Sequence, residues 1–415
     1  MIVNAFERYS DDMTIAQITE LIQNAIDSVA DHGGGAVRVQ AKPGEYVVNG
    51  LRLRSNITFE VCEGITLKSS GDENTFVQRP GPFEFKAAHT PICAFIHTEG
   101  CHDVTICGEG AIDGNYRLFI PEEQEDPTHL SFFKYPRPML CYFEDCRNVR
   151  IEGITLKNTP FWTVHLVGCR DTTVSGVTID NDMAMPNTDG IDIDRCSNTL
   201  IENCHISGGD DGVCLKCTEE TERYGNCVNV HVRNCEIHST SAAIKFGSSS
   251  FADFENCLFE DLTIRKTNRA LGLQLRDGGS VRNIVFKNIS LATKDAGPRW
   301  WGAGEPIYIT LIPRTDSGDV SKGMIENLVF ENVSGDVENG IIVYAQHPEQ
   351  VRNIAMRNVR LTIHHDVTKP LAFDMRPCPE YKRDHLVDCG IYLKTNIETN
   401  GTSVMCQNVT TSIVR

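Results

Sequence analysis

The chain has 415 residues, a formal net charge of −17, and 40% hydrophobic, 23% charged and 7% aromatic residues. The acidic balance argues against nucleic acid or an anionic membrane surface as a partner. No apolar run is long enough to cross a bilayer as a helix. A chain of this length normally holds two or three domains, unless it is built from repeats that grow along one axis.

Met1 to Asp12 lack a basic stretch followed by an apolar one, so the sequence predicts no secretory leader and a cytoplasmic location. Next comes a helix predicted over residues 14–30. Thr14 and Gln17 have capping-box spacing. Ile15, Ile18, Leu21, Ile22, Ala25, Ile26 and Val29 form one apolar stripe at helical period. Gly33-Gly34-Gly35 ends it. No Lys-Ser/Thr comes after them, so the glycines do not read as a phosphate loop. The helix is expected to plug the first rung of a coiled repeat.

From Asn148 onward one pattern recurs: a polar residue, alternating apolar positions, a turn residue and another apolar position. Copies start at Asn148, Asp171, Asn198, Asn229, Asn256, Asn283, Asn327 and Asn353, with outlying copies at Asn56, Asp103 and Asn408. The steps from Asn148 to Asn283 run between 23 and 31 residues; the next two are 44 and 26. A period in the twenties with β-branched pairs and no leucine signature fits an all-β solenoid with about three short strands per coil. Asn and Asp at the turns suit left-handed backbone. The segments Asp113 to Met139 and Gly297 to Pro306 interrupt the repeat as insertions, so a single parallel β-helix domain is expected over 1–415.

The cysteine count, 17, is odd, and a chain of this length needs no disulfide staples. Cys101, Cys146, Cys169, Cys196 and Cys227 recur at one repeat position and should stack as small buried hydrophobes. Cys214 and Cys217 form a C-x-x-C without a partner pair at zinc-like spacing, inside a predicted strand. No metal is expected.

Two neighbouring rungs are acidic: Asn187-Thr188-Asp189-Gly190-Ile191-Asp192-Ile193-Asp194, and Gly208-Gly209-Asp210-Asp211-Gly212. Asp189 precedes Asp210 by 21 residues, about one coil, which should bring Asp189 beside Asp210 and Asp211. Like charges held together push one carboxyl up and supply an acid and a base. Glycoside hydrolysis needs that pair. Calcium binding and plain turn chemistry are the alternatives at this level.

Asn187-x-Asp189 followed by Gly209-Asp210-Asp211 resembles the paired signature of glycoside hydrolase family 28, the polygalacturonase and rhamnogalacturonan hydrolase-like enzymes. The resemblance runs from about Asp11 to the C-terminus. It implies a right-handed parallel β-helix and hydrolysis with inversion, with no cofactor. Asp210 matches the general acid, and Asp189 and Asp211 match the carboxylates that position and activate water. Asn187 belongs to the same motif and is expected to bind substrate. Two departures stand out. The family's Gly-His-Gly falls in Ser241-Ala242-Ala243, leaving Ala242 at the histidine position, and its Arg-Ile-Lys reads Gln274-Leu275-Arg276. Both touch substrate recognition more than the carboxylates.

Strand alternation points Lys216, Lys245, Gln274 and Arg276 outward on successive rungs, where they bind a uronate or balance nearby acids. His165 should face outward one rung below Asp192, as a binding group or an ordinary exposed histidine. Trp300 and Trp301 either stack on a sugar or anchor their loop. The resulting expectation is an exo-acting hydrolase of galacturonate-containing pectic oligosaccharides. It would engage neither nucleic acid nor membrane, and its oligomeric state is open. The competing readings are a β-helix lyase or epimerase using Lys or Arg as base, and a non-catalytic sugar-binding solenoid.

Overall fold

A computed structural model describes residues 1–79, 92–133, 137–315, 317–365, 372–377, 386–388, 392–395 and 403–414. These residues form two compact units, Met1–Asp192 with Cys196–Gly209, and Ile193–Arg195 with Asp210–Arg415. Each unit is a right-handed parallel β-helix.

The first unit opens with the helix Ile15–Asp31, capped by Thr14 and Gln17 in a reciprocal capping box. Ile18, Ile22, Ala25, Ile26 and Val29 are buried, whereas Ile15 at the helix start is exposed. Beyond the helix stand three columns of parallel strands. One stacks Gly35–Val39, Ile57–Val61, His102–Cys107, Arg147–Glu152, Arg170–Ser175 and Ser197–Glu202. A second runs from Gly44–Val48 through Ile65–Ser69, Ala111–Asp113, Thr155–Lys157 and Thr178–Asp180 to His205–Gly208. The third pairs Leu51–Arg52, Ile92–Glu99, Met139–Glu144 and Val164–Val167. Alternate residues such as Val149, Ile151, Val174 and Ile201 point inward and are buried, because the period-2 pattern offers one apolar face to the coil interior.

Within the second unit the strand Phe254–Thr267 pairs with both Cys227–Arg233 and Glu236–Ser239, so it and the long strands stacked on it, Val281–Thr293, Ile325–Val337 and Val351–His364, each span two columns. The third column is Val213–Cys217, Ala242–Ser250, Arg269–Leu275, Glu305–Leu311 and Ile341–Ala345. Phe259, Phe286 and Phe330 stack face to face inside, with centroids 4.9 Å apart at each step. That distance matches the spacing of neighbouring strands.

Every residue that starts a repeat has a positive φ, between 52° and 62°. Their side chains form ladders between coils. Asn283 donates to Asn256, Asn327 to Asn283, and Asn353 to Asn327. A second ladder runs five residues further along each coil, Asp261–Asn288–Asn332–Asn358–Asn408. Asn408 therefore belongs to the second corner and not to the first, where its sequence pattern places it.

The described cysteines are free thiols. Cys146, Cys169 and Cys196 each direct Sγ at a carbonyl of the preceding coil, on Thr98, Phe143 and Leu166. Cys227 does the same to Ile193.

Candidate active site

In the first unit the acidic motif begins with Asn187 at φ 61°. Its Oδ1 accepts from Arg137 Nη2 at 3.0 Å, and Arg137 Nη1 also reaches the carbonyls of Pro160 and Pro186. The Arg137 guanidinium lies over the Phe132 ring, 3.6 Å from its centroid. The insertion before Met139 thus clamps the loop that carries Asn187. Tyr116 Oη donates to Asp182, and Tyr116, Leu130 and Met185 pack together. Asn187 is thereby tied to the insertion through Arg137. Thr188 Oγ1 accepts from Gly209 N at 2.8 Å, tying the loop to the glycine pair. A Cβ at Gly209 would sit 2.1 Å from the Met185 carbonyl, so only glycine fits there. Asp189 is buried, and its carbonyl accepts from Thr163 N at 2.9 Å.

His165 has the expected strand phase, between inward Val164 and Leu166, but it is fully buried. Trp162 meets its ring edge-on at 4.7 Å and Tyr142 at 5.5 Å, and Nδ1 lies 3.4 Å from Met139 Sδ. Covering aromatics, not strand direction, decide its exposure.

Asp210 and Asp211 belong to the second unit, and Asp189 to the first. Gly212 comes next, where a Cβ would meet the Ala243 carbonyl at 2.7 Å. Asp211 is the better-held carboxylate. Oδ2 accepts from Lys245 Nζ at 2.7 Å, and Oδ1 from Ser241 Oγ at 3.0 Å and Ala242 N at 3.3 Å. Burial opposes its ionisation. The charges of Lys245 and Lys216 and the bonds from Lys245 and Ser241 outweigh burial and hold its carboxyl below the usual range. Asp210 is the opposite case. Burial, then the neighbouring Asp211 charge, push its carboxyl up to about 6, with Lys245 and Lys216 opposing. Its carbonyl accepts from Ser239 Oγ at 2.5 Å, and Ser239 Oγ also accepts from Ser241 N.

The four outward side chains, Lys216, Lys245, Gln274 and Arg276, are buried. Lys245 stacks beside Cys214 and Gly272, while Gln274 stacks beside Gly247 and Thr310. A register shift between Leu215 and Cys217 breaks the line expected from Lys216 to Lys245. Lys245 is bound to Asp211, the charge-balancing alternative. Gln274 Oε1 accepts from Arg269 Nη1 at 3.2 Å. Arg276 donates to Thr310 Oγ1, Tyr308 Oη and the carbonyls of Leu275 and Arg376. Arg276 is thus used within the protein and is not an open uronate clamp.

Sequence reasoning misses Ser239, Ser241 and Arg269. The first two lie in the polar run ahead of strand Ala242–Ser250, whose only signal is its hydroxyls. Arg269 is fully buried, with Nε 3.4 Å from Glu305 Oε2 and the guanidinium over the Tyr308 ring at 3.5 Å. Trp300 is 3% exposed and anchors its loop, whereas Trp301 is 38% exposed and carries the Arg376 guanidinium on its ring. Trp300 thus takes the loop-anchoring role read for it, and Trp301 stays partly open to solvent beside Arg376.

Cys214 Sγ points at the Gly247 carbonyl and Cys217 Sγ at that of Asp253. Burial pushes the Cys217 thiol far up, so it supplies no ready thiolate.

The family model for glycosyl hydrolases family 28 matches residues 55–371. A probable polygalacturonase of Vitis vinifera is 28% identical over 66% of this chain and 57% of its own length. The match thus spans little more than half of that relative. A probable exopolygalacturonase B of Aspergillus flavus is 26% identical over 80% of this chain and 77% of its own. The solved exopolygalacturonase of Thermotoga maritima shares the fold, with a TM-score of 0.67 at 20% identity over 88% of this chain and 87% of that one. Since the family model covers most of the coils described above, this chain belongs to glycosyl hydrolases family 28.

Proposed function

We propose that the chain hydrolyses glycosidic bonds in galacturonate-containing pectic oligosaccharides, acting from a chain end and inverting the anomeric centre. The observation that carries this reading is the opposed titration of two adjacent carboxyls. Asp210 is held protonated toward neutral pH and Asp211 is held ionised, the division of labour that acid-base cleavage requires. Asp210 gives its proton to the glycosidic oxygen as the bond to the anomeric carbon breaks. Water attacks that carbon from the opposite face, and its proton passes to the Asp211 carboxylate. No cofactor enters the scheme.

Unused donors on Lys245 support a uronate as the substrate group. Lys245 has three donors, and among the described residues one of them is used, on Asp211. The names of the relatives, polygalacturonase and exopolygalacturonase, agree with this class. A lyase would need a neutral Lys or Arg base. Lys245 does not suit that role. Burial, the largest single influence, favours its neutral form, but the charges of Asp211, Cys214 and Asp210 together outweigh it and raise the Lys245 pKa.

The test is a panel of saturated and unsaturated galacturonide and rhamnogalacturonan oligosaccharides, read by mass in ordinary and ¹⁸O water. Hydrolysis adds one water and labels the new reducing end, and Asp210→Asn abolishes it. An unsaturated product without water uptake would replace the hydrolase by a lyase. Early proton NMR of the product reads the anomer and decides inversion.

A further inference from the structure

Residues 372–377 cross the outer face of the second unit's third strand column. Phe373 and Met375 are buried against Tyr308, Ile312, Ile342 and Tyr344. The backbone is tied down along its length. Asp374 N donates to Glu305 Oε1 at 3.0 Å, the Asp374 carbonyl accepts from Tyr308 Oη at 2.8 Å, and the Arg376 carbonyl accepts from Arg276 Nη2 at 3.4 Å. The insertion between Gly297 and Pro306 holds it from the other side. Gly302 N donates to Asp374 Oδ2 at 2.9 Å. Arg376 is the latch. Its guanidinium forks onto both Asp374 oxygens, donates to the Trp300 and Pro298 carbonyls, and lies 4.4 Å from the Trp301 ring centroid. These bonds join two segments more than 70 residues apart in the chain.

This face is the one that carries Lys245. The strap first meets it at Arg276, just past strand Arg269–Leu275, two coils from the strand that begins just after Asp211. Two coil spacings are roughly 10 Å, room for about two pyranose rings.

We propose that the strap at 372–377 ends the substrate groove of the second unit, so that only one or two sugars fit on that side of Asp210. Arg376 is then a positioning residue for product length. It touches no substrate and acts by holding the strap. The inference rests on the hydrolase reading above and adds to it the structural element that restricts cleavage to a chain end.

The experiment tracks the first products released from a hexagalacturonide fluorescently labelled at its reducing end. Wild type is compared with Arg376→Ala and Arg376→Lys, with hydrogen exchange of the peptides covering 372–377. Wild type should release only mono- or disaccharide and the complementary tetra- or pentasaccharide in the first few per cent of turnover. Arg376→Ala should raise exchange in the strap at least tenfold and add a trisaccharide to the first products. Arg376→Lys, which keeps a cation on Asp374, should fall between. If exchange does not change in Arg376→Ala, the double variant Phe373→Ser, Met375→Ser removes the apolar anchors and is read in the same way. A loosened strap with unchanged first products, or internal cleavage by wild type, overturns the proposal. If no oligosaccharide is cut by any form, the hydrolase reading fails by itself, and calorimetry with galacturonides of two to six units decides the strap. Affinity should stop rising at a shorter chain in wild type than in the loosened variant, and an identical length dependence overturns the proposal.

Discussion

Lys245 Nζ lies 2.7 Å from Asp211 Oδ2, and both side chains are buried. This pair sets the two neighbouring carboxyls apart, because the ammonium favours the ionised form of Asp211 more strongly than that of Asp210. Lys245→Met should therefore raise both titrations. The acid limb of the kcat/KM profile, where the base is lost, moves to higher pH, and the optimum narrows. The stability contribution of the lowered Asp211 titration is present above the unfolded value near 3.9. It is lost as pH falls through the lower folded value. At pH 7 the variant should lose roughly 3–5 kcal/mol, since it leaves a buried carboxylate unpaired. Lys245→Met with Asp211→Asn should restore much of that stability without restoring activity. Urea melts of the wild type and both variants, with pH–rate profiles of the wild type and Lys245→Met, check this, and an unmoved acid limb would sink it.

Asp210→Asn should separate activity from stability. A carboxyl raised to about 6 binds its proton more tightly folded than unfolded. Stability from this group therefore falls as pH rises from the unfolded value near 3.9 through about 6, and the ionised form is a burden above that. The amide removes the burden. Stability at pH 7 to 8 should rise by up to about 2–3 kcal/mol, while it is nearly unchanged at pH 4. Activity should fall by about 10² to 10⁴-fold, and the basic limb of the pH profile should vanish. A variant that is both less active and less stable at pH 8 would mean that the fold does not raise the Asp210 carboxyl.

Much of the coil is legible in the sequence because its code is local. The turn residues Asn148, Asp171, Asn198 and Asn283 are written at a fixed offset from each apolar pair, and each has the left-handed backbone that its residue type suggests. Asn408 is misplaced by its pattern because both corners use the same residue type, and only the ladder partner, Asn358, tells them apart. The acidic pair is legible for the same local reason. The fates of Lys245, Arg276, His165 and Trp300 are not. Strand alternation gives the direction in which a side chain leaves the sheet. It does not say that Asp211, the strap, Trp162 or the loop around Gly297 will be waiting there.

The thiols give a prediction that needs no substrate. Cys406 is exposed, whereas Cys141, Cys169, Cys196 and Cys227 are buried. Burial pushes the Cys141 thiol up to about 12, so it carries almost no thiolate at pH 8. Among the described cysteines, iodoacetamide at pH 8 should modify Cys406 first and leave the interior column untouched until the protein is denatured. Peptide mapping reads this directly. Native labelling of Cys169 or Cys196 at a comparable rate would contradict the stacked position described for them.

The asparagine ladder can be tested at Asn327, which donates to Asn283 and accepts from Asn353. Asn327→Ala loses both bonds and keeps a Cβ in a left-handed conformation with φ near 60°. The conformational cost is about 1–2 kcal/mol, and each exposed bond adds about 0.5–1.5 kcal/mol. Asn327→Gly loses the same bonds but relieves the backbone, at the expense of a more flexible unfolded chain. The glycine variant should therefore be the more stable of the two by about 1 kcal/mol, although it removes more of the side chain. Because stability in stacked repeats is largely a nearest-neighbour property, hydrogen exchange should increase most in strand Ile325–Val337 and its two neighbours, Val281–Thr293 and Val351–His364. An alanine variant as stable as the glycine one would show that the ladder bonds, and not the left-handed turn, are what asparagine supplies at this corner.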